Sequence, residues 1–463
     1  MKRPLHALVL AAGKGTRFKS DTIKVLHPMM GKPMIRIMVD TLARLKPAGV
    51  HMVVGFQRES VMEADFPVDI DFIHQETQRG TAHAVMAASR ALAPFREHNL
   101  LIINGDLPLI RTETLRPLIR RHEREDNALT FMSAVMADAY GFGRVINRAE
   151  GGFRIVEEKD ATSAQRKLKE GNVGIYVFRI GVLLDALPRI SNRNAKGEYY
   201  LTDIIEILSQ DGAAVRKFAT GNVDEIVGVN DRFEMARAME VLRRRKIRYL
   251  TEKGVTFYDP SSTWIDFDVR IGSDTVVYPN VVLEGGTVIG RNAVLYPGVH
   301  VVDSRIGDDV ALLSWTMVEQ SRIADRSRVG PFSHLRPGTV LRPDTHVGNF
   351  VEMKKTEFGQ GSKANHLSYI GDSRVGKGVN IGAGTITCNY DGVNKNRTEI
   401  GDGVFVGSGT QLVAPVKIGE GAYIGAGSTI TKNVSPDALA VARGRQTEKP
   451  GWAERKRRKR GKK

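Results

Sequence analysis

The chain has one cysteine, Cys388, in 463 residues. A single thiol excludes an intrachain disulfide and a cysteine-based zinc cluster, and it fits a reducing compartment, so the expected location is the cytoplasm. Long apolar runs are absent too. No stretch approaches the roughly 18 apolar residues of a membrane-spanning helix, so none is expected. The apolar run Leu5–Ala12 follows basic residues, but it is short, carries His6 and leads straight into GKGTR. It reads as a buried first strand, not a signal peptide. Acid is scarcer than base, with 52 Asp and Glu against 68 Lys and Arg and a formal net charge of +16. Eight of those cations sit in RKRRKRGKK (455–463), which holds no acid. That tail reads as a disordered, solvated charge run in preference to a nucleic-acid or membrane-surface binder. The charge left on the remainder suits small anionic substrates.

What is present falls into two halves. Up to about residue 228, apolar runs alternate with helical patterns. HALVLAA, VHMVVGF, DIDFIHQ, NLLIING, ALTFMSAV and VGIYVFR read as strands; MIRIMVDTLARL, TAHAVMAASRAL and ETLRPLIRRHERE read as helices. Continuous apolar strands with helices between them imply a mostly parallel sheet covered on both faces, with ligands beyond the carboxyl ends of its strands. DRFEMARAMEVLRRRKIRYLTEKG then reads as one long linking helix, capped by Asp231 and ended by Gly254. The expected divisions are 1–228, a helix over 229–254, a repeat domain over 255–445 and a basic tail over 446–463.

After residue 270 an aliphatic residue followed by Gly recurs every six positions, as in IGSDTV (271), IGDDVA (306), VGKGVN (375), IGAGTI (381), VGSGTQ (406) and IGEGAY (418). Six is not a helical period. It fits a solenoid with three short strands per coil, the aliphatic residue inward and the small residue at the corner, in roughly nine coils. The phase slips around 351–375 and across TCNYDGVNKNRTE, where protruding loops and function are expected.

Two sites stand out chemically. LVLAAGKGTR places glycines directly after a strand; it matches neither the P-loop nor the dinucleotide fingerprint. Gly13 and Gly15 still let backbone N–H groups face an anion, and Arg17 and Lys24 add charge for a polyphosphate. Asp106, in INGDLP at the end of another apolar strand, is costly to leave unpaired, and a Mg²⁺ ion bridging phosphates would satisfy it. A plain helix N-cap is the alternative at that residue. In the repeat, His366 in SKANHLSYIGD is a base suited to neutral pH. Cys388 is set aside as a nucleophile because nothing around it suggests a lowered pKa.

LAAGKGTR, KVLHP, GKPM, Q…GTAHA (75–84), GDLP, GFGR, IVEEKDA, GEYYLTD and GVNDR resemble the nucleotidyltransferase domain that makes UDP-sugars. With the hexads, the chain resembles the bacterial bifunctional N-acetylglucosamine-1-phosphate uridylyltransferase/glucosamine-1-phosphate N-acetyltransferase family over nearly all its length except the basic tail. The resemblance implies a Rossmann-like α/β domain, a left-handed parallel β-helix, a homotrimer, and UDP-N-acetylglucosamine synthesis for the cell wall. It also implies that Leu10, Ala11, Ala12 and Gly13 line the nucleotide pocket together with Asn104 and Gly105. Arg17 and Lys24 would contact phosphates, and Gln75, Gly80 and Thr81 would read uracil. Asp106 and Asn230 would hold Mg²⁺, and Gly143, Glu157 and Asn172 would contact the sugar of UTP's partner. The chain departs from the family at Arg79, Ala82 and Asn104.

In the second half the resemblance implies His366 as general base for acetyl transfer from acetyl-CoA, with Glu352 orienting it. Arg336 and Lys354 would hold the sugar phosphate, with Tyr369 and Asn380 on the sugar. Ala383, Asn389, Tyr390, Ser408, Ala426 and Arg443 match acetyl-CoA-binding positions. The alternative is a nucleotidyltransferase alone, with a solenoid that only assembles subunits.

Overall fold

A computed structural model describes residues 3–460. Contacts divide the chain into two compact units, Met1–Arg244 and Arg245–Lys463. Each is described by itself.

The first unit is built on a nine-stranded sheet. Its strands are β1 (Leu5–Leu10), β2 (Gly49–Val54), β3 (Asp71–His74), β4 (Asn99–Asn104), β5 (Leu129–Val135), β6 (Gly143–Asn147), β7 (Phe153–Val156), β8 (Glu170–Arg179) and β9 (Val215–Thr220). The order is β9-β5-β8-β4-β1-β2-β3, with the hairpin β6–β7 attached to β8. Alternation along β1 sends Ala7 and Val9 into one apolar core and Leu8 into the core on the other face. Among the helices packed on the faces are α1 (Met34–Ala43), α2 (Thr81–Ala87), α3 (Thr112–Arg124) and α4 (Asp203–Gln210). The helix expected over 81–92 breaks at Ala88 and resumes at Ser89.

The sheet is mixed rather than mostly parallel. β1, β2, β3 and β4 run parallel, but β8 is antiparallel to both β4 and β5. Two faces of β8 are buried alike, Val173, Ile175 and Val177 on one and Tyr176 and Phe178 on the other. A strand apolar on both faces does not announce its direction.

Helix α5 spans Arg232–Glu252. The Asp231 carboxylate accepts from the backbone N–H of Glu234 at 2.8 Å, closing its N-terminus. Gly254 (φ 91°) turns the chain at the other end, where Val255 N–H reaches the Leu250 carbonyl at 3.1 Å.

The second unit is a three-sided parallel β-helix with sheets of eleven, ten and nine strands, about ten turns in all. This is the architecture of hexapeptide-repeat chains, consistent with the left-handed β-helix. Successive inward residues Val277, Leu295, Leu312, Val329 and Val347 are fully buried. The Gly of each hexad is required by close approach: a Cβ on Gly290 would lie 2.6 Å from the carbonyl of Gly307 in the next turn. Buried hydroxyls satisfy corner carbonyls, as Thr275 does for Gly290 at 2.9 Å and Ser362 for Gly376 at 2.7 Å.

The phase slips have two causes. Turns of 17 residues (Val294 to Ala311) are mixed with turns of 18 (Val276 to Val294) from early in the helix. The missing residue is absorbed at one corner by a single left-handed residue, Asp303, Gln320, Lys355 or Asp372 (φ 45°, 41°, 46° and 47°). No loop protrudes at 351–375, contrary to expectation. A loop does leave the prism at 389–397, where the register jumps 25 residues from Asn380 to Phe405. The tail also differs from a disordered run: Trp452–Arg460 is helical and buries no residue, while 461–463 lie outside the described residues. No helix among the described residues is long and apolar enough to cross a membrane.

Candidate functional site

The first site lies beyond the carboxyl ends of β1 and β4. It is a cavity of about 470 Å³ lined by Leu10, Ala11, Ala12 and Gly13, by Lys24, by Gln75, Gly80 and Thr81, and by Asn104, Asp106 and Glu157. Gly15 takes a left-handed conformation (φ 60°), and a Cβ there would lie 2.6 Å from Cβ of Lys24, so the turn needs glycine to bring Lys24 in. Lys24 Nζ donates to Asp106 Oδ2 at 2.6 Å, and both side chains are mostly buried. Arg17 Nη2 donates to Asn230 Oδ1 at 2.9 Å. The chain before Asn230 is pinned to the Asp106 segment, Val229 N–H donating to the Asp106 carbonyl at 2.9 Å. Gly105 N–H donates to the Leu10 carbonyl at 2.9 Å, locking the two strand ends together.

QRGTAHA and GEYYLTD prove to be one structural piece. Ala82 N–H donates to the Tyr199 carbonyl at 2.9 Å, Tyr199 N–H to that of Arg79 at 2.7 Å, and Leu201 N–H to Thr81 Oγ1 at 3.0 Å. Gly80 (φ 110°) sits so close that a Cβ would meet the Tyr199 carbonyl oxygen at 2.5 Å. Gln75 is buried, its amide beside His83 Nδ1 at 2.9 Å.

At the far end, Gly143 pairs with Asn172 across β6 and β8, and the Glu157 carboxylate accepts from Thr202 Oγ1 at 2.9 Å. Burial raises the Glu157 carboxyl above its ordinary value. Burial, with Glu157 and Glu206 nearby, lifts Asp203 to about 6. Asn172 Nδ2 donates to the Tyr176 hydroxyl at 2.8 Å, while Asn172 Oδ1 and the Tyr200 hydroxyl are buried without partners. Such orphaned groups are rare unless a ligand meets them. Of the residues expected here, Arg17, Gly105, Gly143, Asn172 and Asn230 stand around the cavity rather than on its wall. Gln78, Lys196, Glu198 and Tyr200 line it and were not singled out from sequence. Lys196 precedes the GEYYLTD string and Glu198 and Tyr200 lie within it, but spacing carries no sign that a segment 120 residues on meets Thr81.

The second site follows one edge of the β-helix. Gly384 N–H donates to the Leu367 carbonyl (2.9 Å), Gly409 to Ala383 (2.7 Å) and Gly427 to Ser408 (2.8 Å). Arg443 Nη1 then donates to the Ala426 carbonyl at 2.7 Å. Ala383, Ser408 and Ala426 therefore stack on successive turns along one corner. Their small side chains leave that edge open, with the exposed His366 at its head and Arg443 at its foot. On the adjoining sheet, Glu352 pairs with Tyr369 in register, while Asn380 lies on His366's own sheet, on the next strand.

The Glu352 carboxylate accepts from Arg336 Nη1 at 2.7 Å, and it makes no hydrogen bond to His366. Asn389 is buried and its amide donates to Asp372, which ties the base of the loop to the prism instead of facing outward. Tyr390 is exposed; its hydroxyl donates to the Gly392 carbonyl at 2.6 Å, and Lys395 Nζ stands 4.7 Å over its ring. Lys354 is half-buried and its ammonium is unpaired among the described residues.

Residues 7–143 match the MobA-like NTP transferase domain, and 268–302 and 397–432 match the bacterial transferase hexapeptide (six repeats). The bifunctional protein GlmU of an Exiguobacterium species is 46% identical over 450 residues, covering 97% of this chain and 99% of that one. The GlmU proteins of Geotalea daltonii (47%, covering 96% of this chain and 98% of that one) and of Streptococcus agalactiae (44%, 97% and 98%) are similar over the same extent. The chain belongs to the bifunctional GlmU family.

Proposed function

We propose that the chain catalyses two consecutive steps: acetyl transfer from acetyl-CoA to glucosamine-1-phosphate, then uridylyl transfer from UTP to N-acetylglucosamine-1-phosphate. The observation that carries this reading is one chain holding both an anion cradle around Lys24 and Asp106 and an open β-helix edge headed by His366.

In uridylyl transfer the sugar phosphate oxygen attacks the α-phosphorus of UTP in line, a new P–O bond forms, and the bond to pyrophosphate breaks. Such a reaction needs alignment and charge neutralisation more than a covalent nucleophile. Lys24 and Arg17 hold the phosphates, and the Gly13–Gly15 turn offers backbone N–H groups. Gln75, Gly80 and Thr81 take the uracil. Asn172 and Tyr200 meet the sugar with their unpaired atoms, beside Gly143 and Glu157. Asp106 and Asn230 fit Mg²⁺: they offer hard oxygens, and both already face a cationic side chain. When bound, Mg²⁺ would neutralise charge on the phosphates.

In acetyl transfer the amine nitrogen attacks the thioester carbonyl, His366 accepts the amine proton at a ring nitrogen, and the CoA thiolate leaves. A backbone N–H or the Ser408 hydroxyl meets the oxyanion. Arg336, braced by Glu352, and Lys354 hold the sugar phosphate, with Tyr369 and Asn380 on the ring. Ala383, Ser408, Ala426 and Arg443 line the CoA path, and Tyr390 flanks it.

The same reading gives a homotrimer. Trp315, Phe332, Phe350 and Leu367 form an exposed column on one corner, 58%, 50%, 57% and 63% accessible. All four adopt the left-handed conformation, and Phe332 stacks on Phe350 at 5.3 Å. Contiguous exposed apolar surface marks a protein contact. The lone Cys388 agrees with a cytoplasmic location. Mass-resolved product analysis with glucosamine-1-phosphate, acetyl-CoA, UTP and Mg²⁺, omitting each in turn, tests the reading. UDP-N-acetylglucosamine forms only from the complete set; product from glucosamine-1-phosphate without acetyl-CoA would overturn the order of steps.

A further inference from the structure

The nucleotide cavity lies where β1 ends. A second cavity, of about 350 Å³, opens where β1 begins, between the start of that strand, the end of α1 and one face of α3. Six strand residues, about 20 Å, separate the two. The size falls at the small end of ligand sites, roughly 300–1,000 Å³.

Its wall is basic. Arg3, Lys46, Arg116 and Arg120 face it, against one carboxylate, Glu123. Arg3 is committed to Asp126 at 2.5 Å. Arg116 is anchored by Nη2 to the Arg44 carbonyl at 3.1 Å, which leaves the rest of its fork available. The side chains of Lys46 and Arg120 have no partner among the described residues. Arg116 and Arg120 are four apart on one helix, where like charges repel. Lys46 is itself in the left-handed conformation (φ 55°) just past the end of α1, a place where glycine or asparagine is the usual choice. The chain thus accepts backbone strain and mutual repulsion to gather three cations over one hollow. The floor beneath them is apolar, formed by Leu5, Leu45 and the buried Ile119.

Paired guanidinium forks and an ammonium over an apolar floor suit a small dianion with a short carbon body. We infer that this cavity binds a phosphomonoester of a small metabolite, its phosphate between Lys46, Arg116 and Arg120 and its carbon chain on Leu5, Leu45 and Ile119. The site is separate from both anion sites of the proposed reactions and does not depend on them.

Titration calorimetry of the full chain with glycerol 3-phosphate tests this, with inorganic phosphate as the bodiless comparison. The expected result is saturable binding, tighter than that of phosphate. It weakens about tenfold or more in Arg116→Gln/Arg120→Gln, the scale of one lost charge-assisted hydrogen bond, and persists in Lys24→Ala and in Arg336→Ala. Absent saturation, binding unchanged in the double variant, or binding lost in Lys24→Ala or Arg336→Ala overturns the inference. Should circular dichroism show the double variant unfolded, Lys46→Gln is read in its place, with the same two outcomes.

Discussion

Gly80→Ala is the sharpest structural test of the nucleotide pocket. The residue sits at φ 110°, and an added Cβ would lie 2.5 Å from the Tyr199 carbonyl oxygen and 2.8 Å from its nitrogen. Neither neighbour is a flexible side-chain end, so the backbone must part. The positive φ costs an alanine about 1–2 kcal/mol. Parting the segments weakens two backbone hydrogen bonds, Ala82 to Tyr199 and Tyr199 to Arg79, each worth about 1 kcal/mol. The local cost is therefore about 3–4 kcal/mol, met by a shift of order 1 Å at the mouth of the cavity. Misplacement on that scale lowers turnover about a hundredfold. Coupled assays should show kcat/KM for uridylyl transfer down by roughly that factor, with acetyl transfer unchanged. Uridylyl transfer within about twofold of the parent would refute the argument that this corner positions the substrate.

Other outcomes follow from the same structure. Burial lifts Asp203 from 3.8 to about 6, so the folded state holds its proton more tightly than the unfolded chain does. Its ionisation therefore costs stability increasingly as pH rises from about 4 through 6. Asp203→Asn should stabilise the first unit at pH 8 by about 1–2 kcal/mol after solvent screening and have almost no effect near pH 4, read by urea titration. Equal gains at both pH values contradict this. His6 and His122 are buried and pushed down to about 4 from 6.5, by burial first and then by neighbouring cations or imidazoles. Their neutral forms contribute stability that is complete above pH 6.5 and lost as pH falls toward 4, up to about 3 kcal/mol each. Replacing His122 by a neutral residue that fits should flatten that loss, and an unaltered acid limb speaks against it. Ala426→Trp would fill the open β-helix edge, raising KM for acetyl-CoA roughly tenfold while leaving uridylyl transfer alone. An unchanged KM would place the acetyl donor elsewhere.

How far the sequence could be read depended on the physics encoding each feature. The hexads were legible because an inward aliphatic residue at fixed spacing is a direct consequence of three-sided packing. The 17-residue turns were misread as loops because a deletion absorbed by one left-handed corner residue, such as Asp372, looks identical in sequence to the start of an insertion. Only the 389–397 segment leaves the prism. The direction of β8 was hidden since Tyr176 and Val177 are equally buried on opposite faces. Lys24 was picked as a cation for a polyphosphate and Asp106 as a carboxylate costly to leave unpaired at a strand end, and they meet at 2.6 Å. Tyr200 and Gln78 were missed because their place on the wall depends on tertiary pairing that no local pattern records. Glu352 and Asn389 came from the resemblance alone, and no local pattern records the partners the prism gives them, Arg336 and Asp372.

The central claim is that two chemistries reside in separate pockets of one chain. Measuring both activities in His366→Ala and in Asp106→Ala tests it most directly. The account predicts a crossed pattern, acetyl transfer lost with uridylyl transfer intact in the first variant and the opposite in the second. Normal acetylation without the imidazole, or loss of both activities in either folded variant, would contradict it.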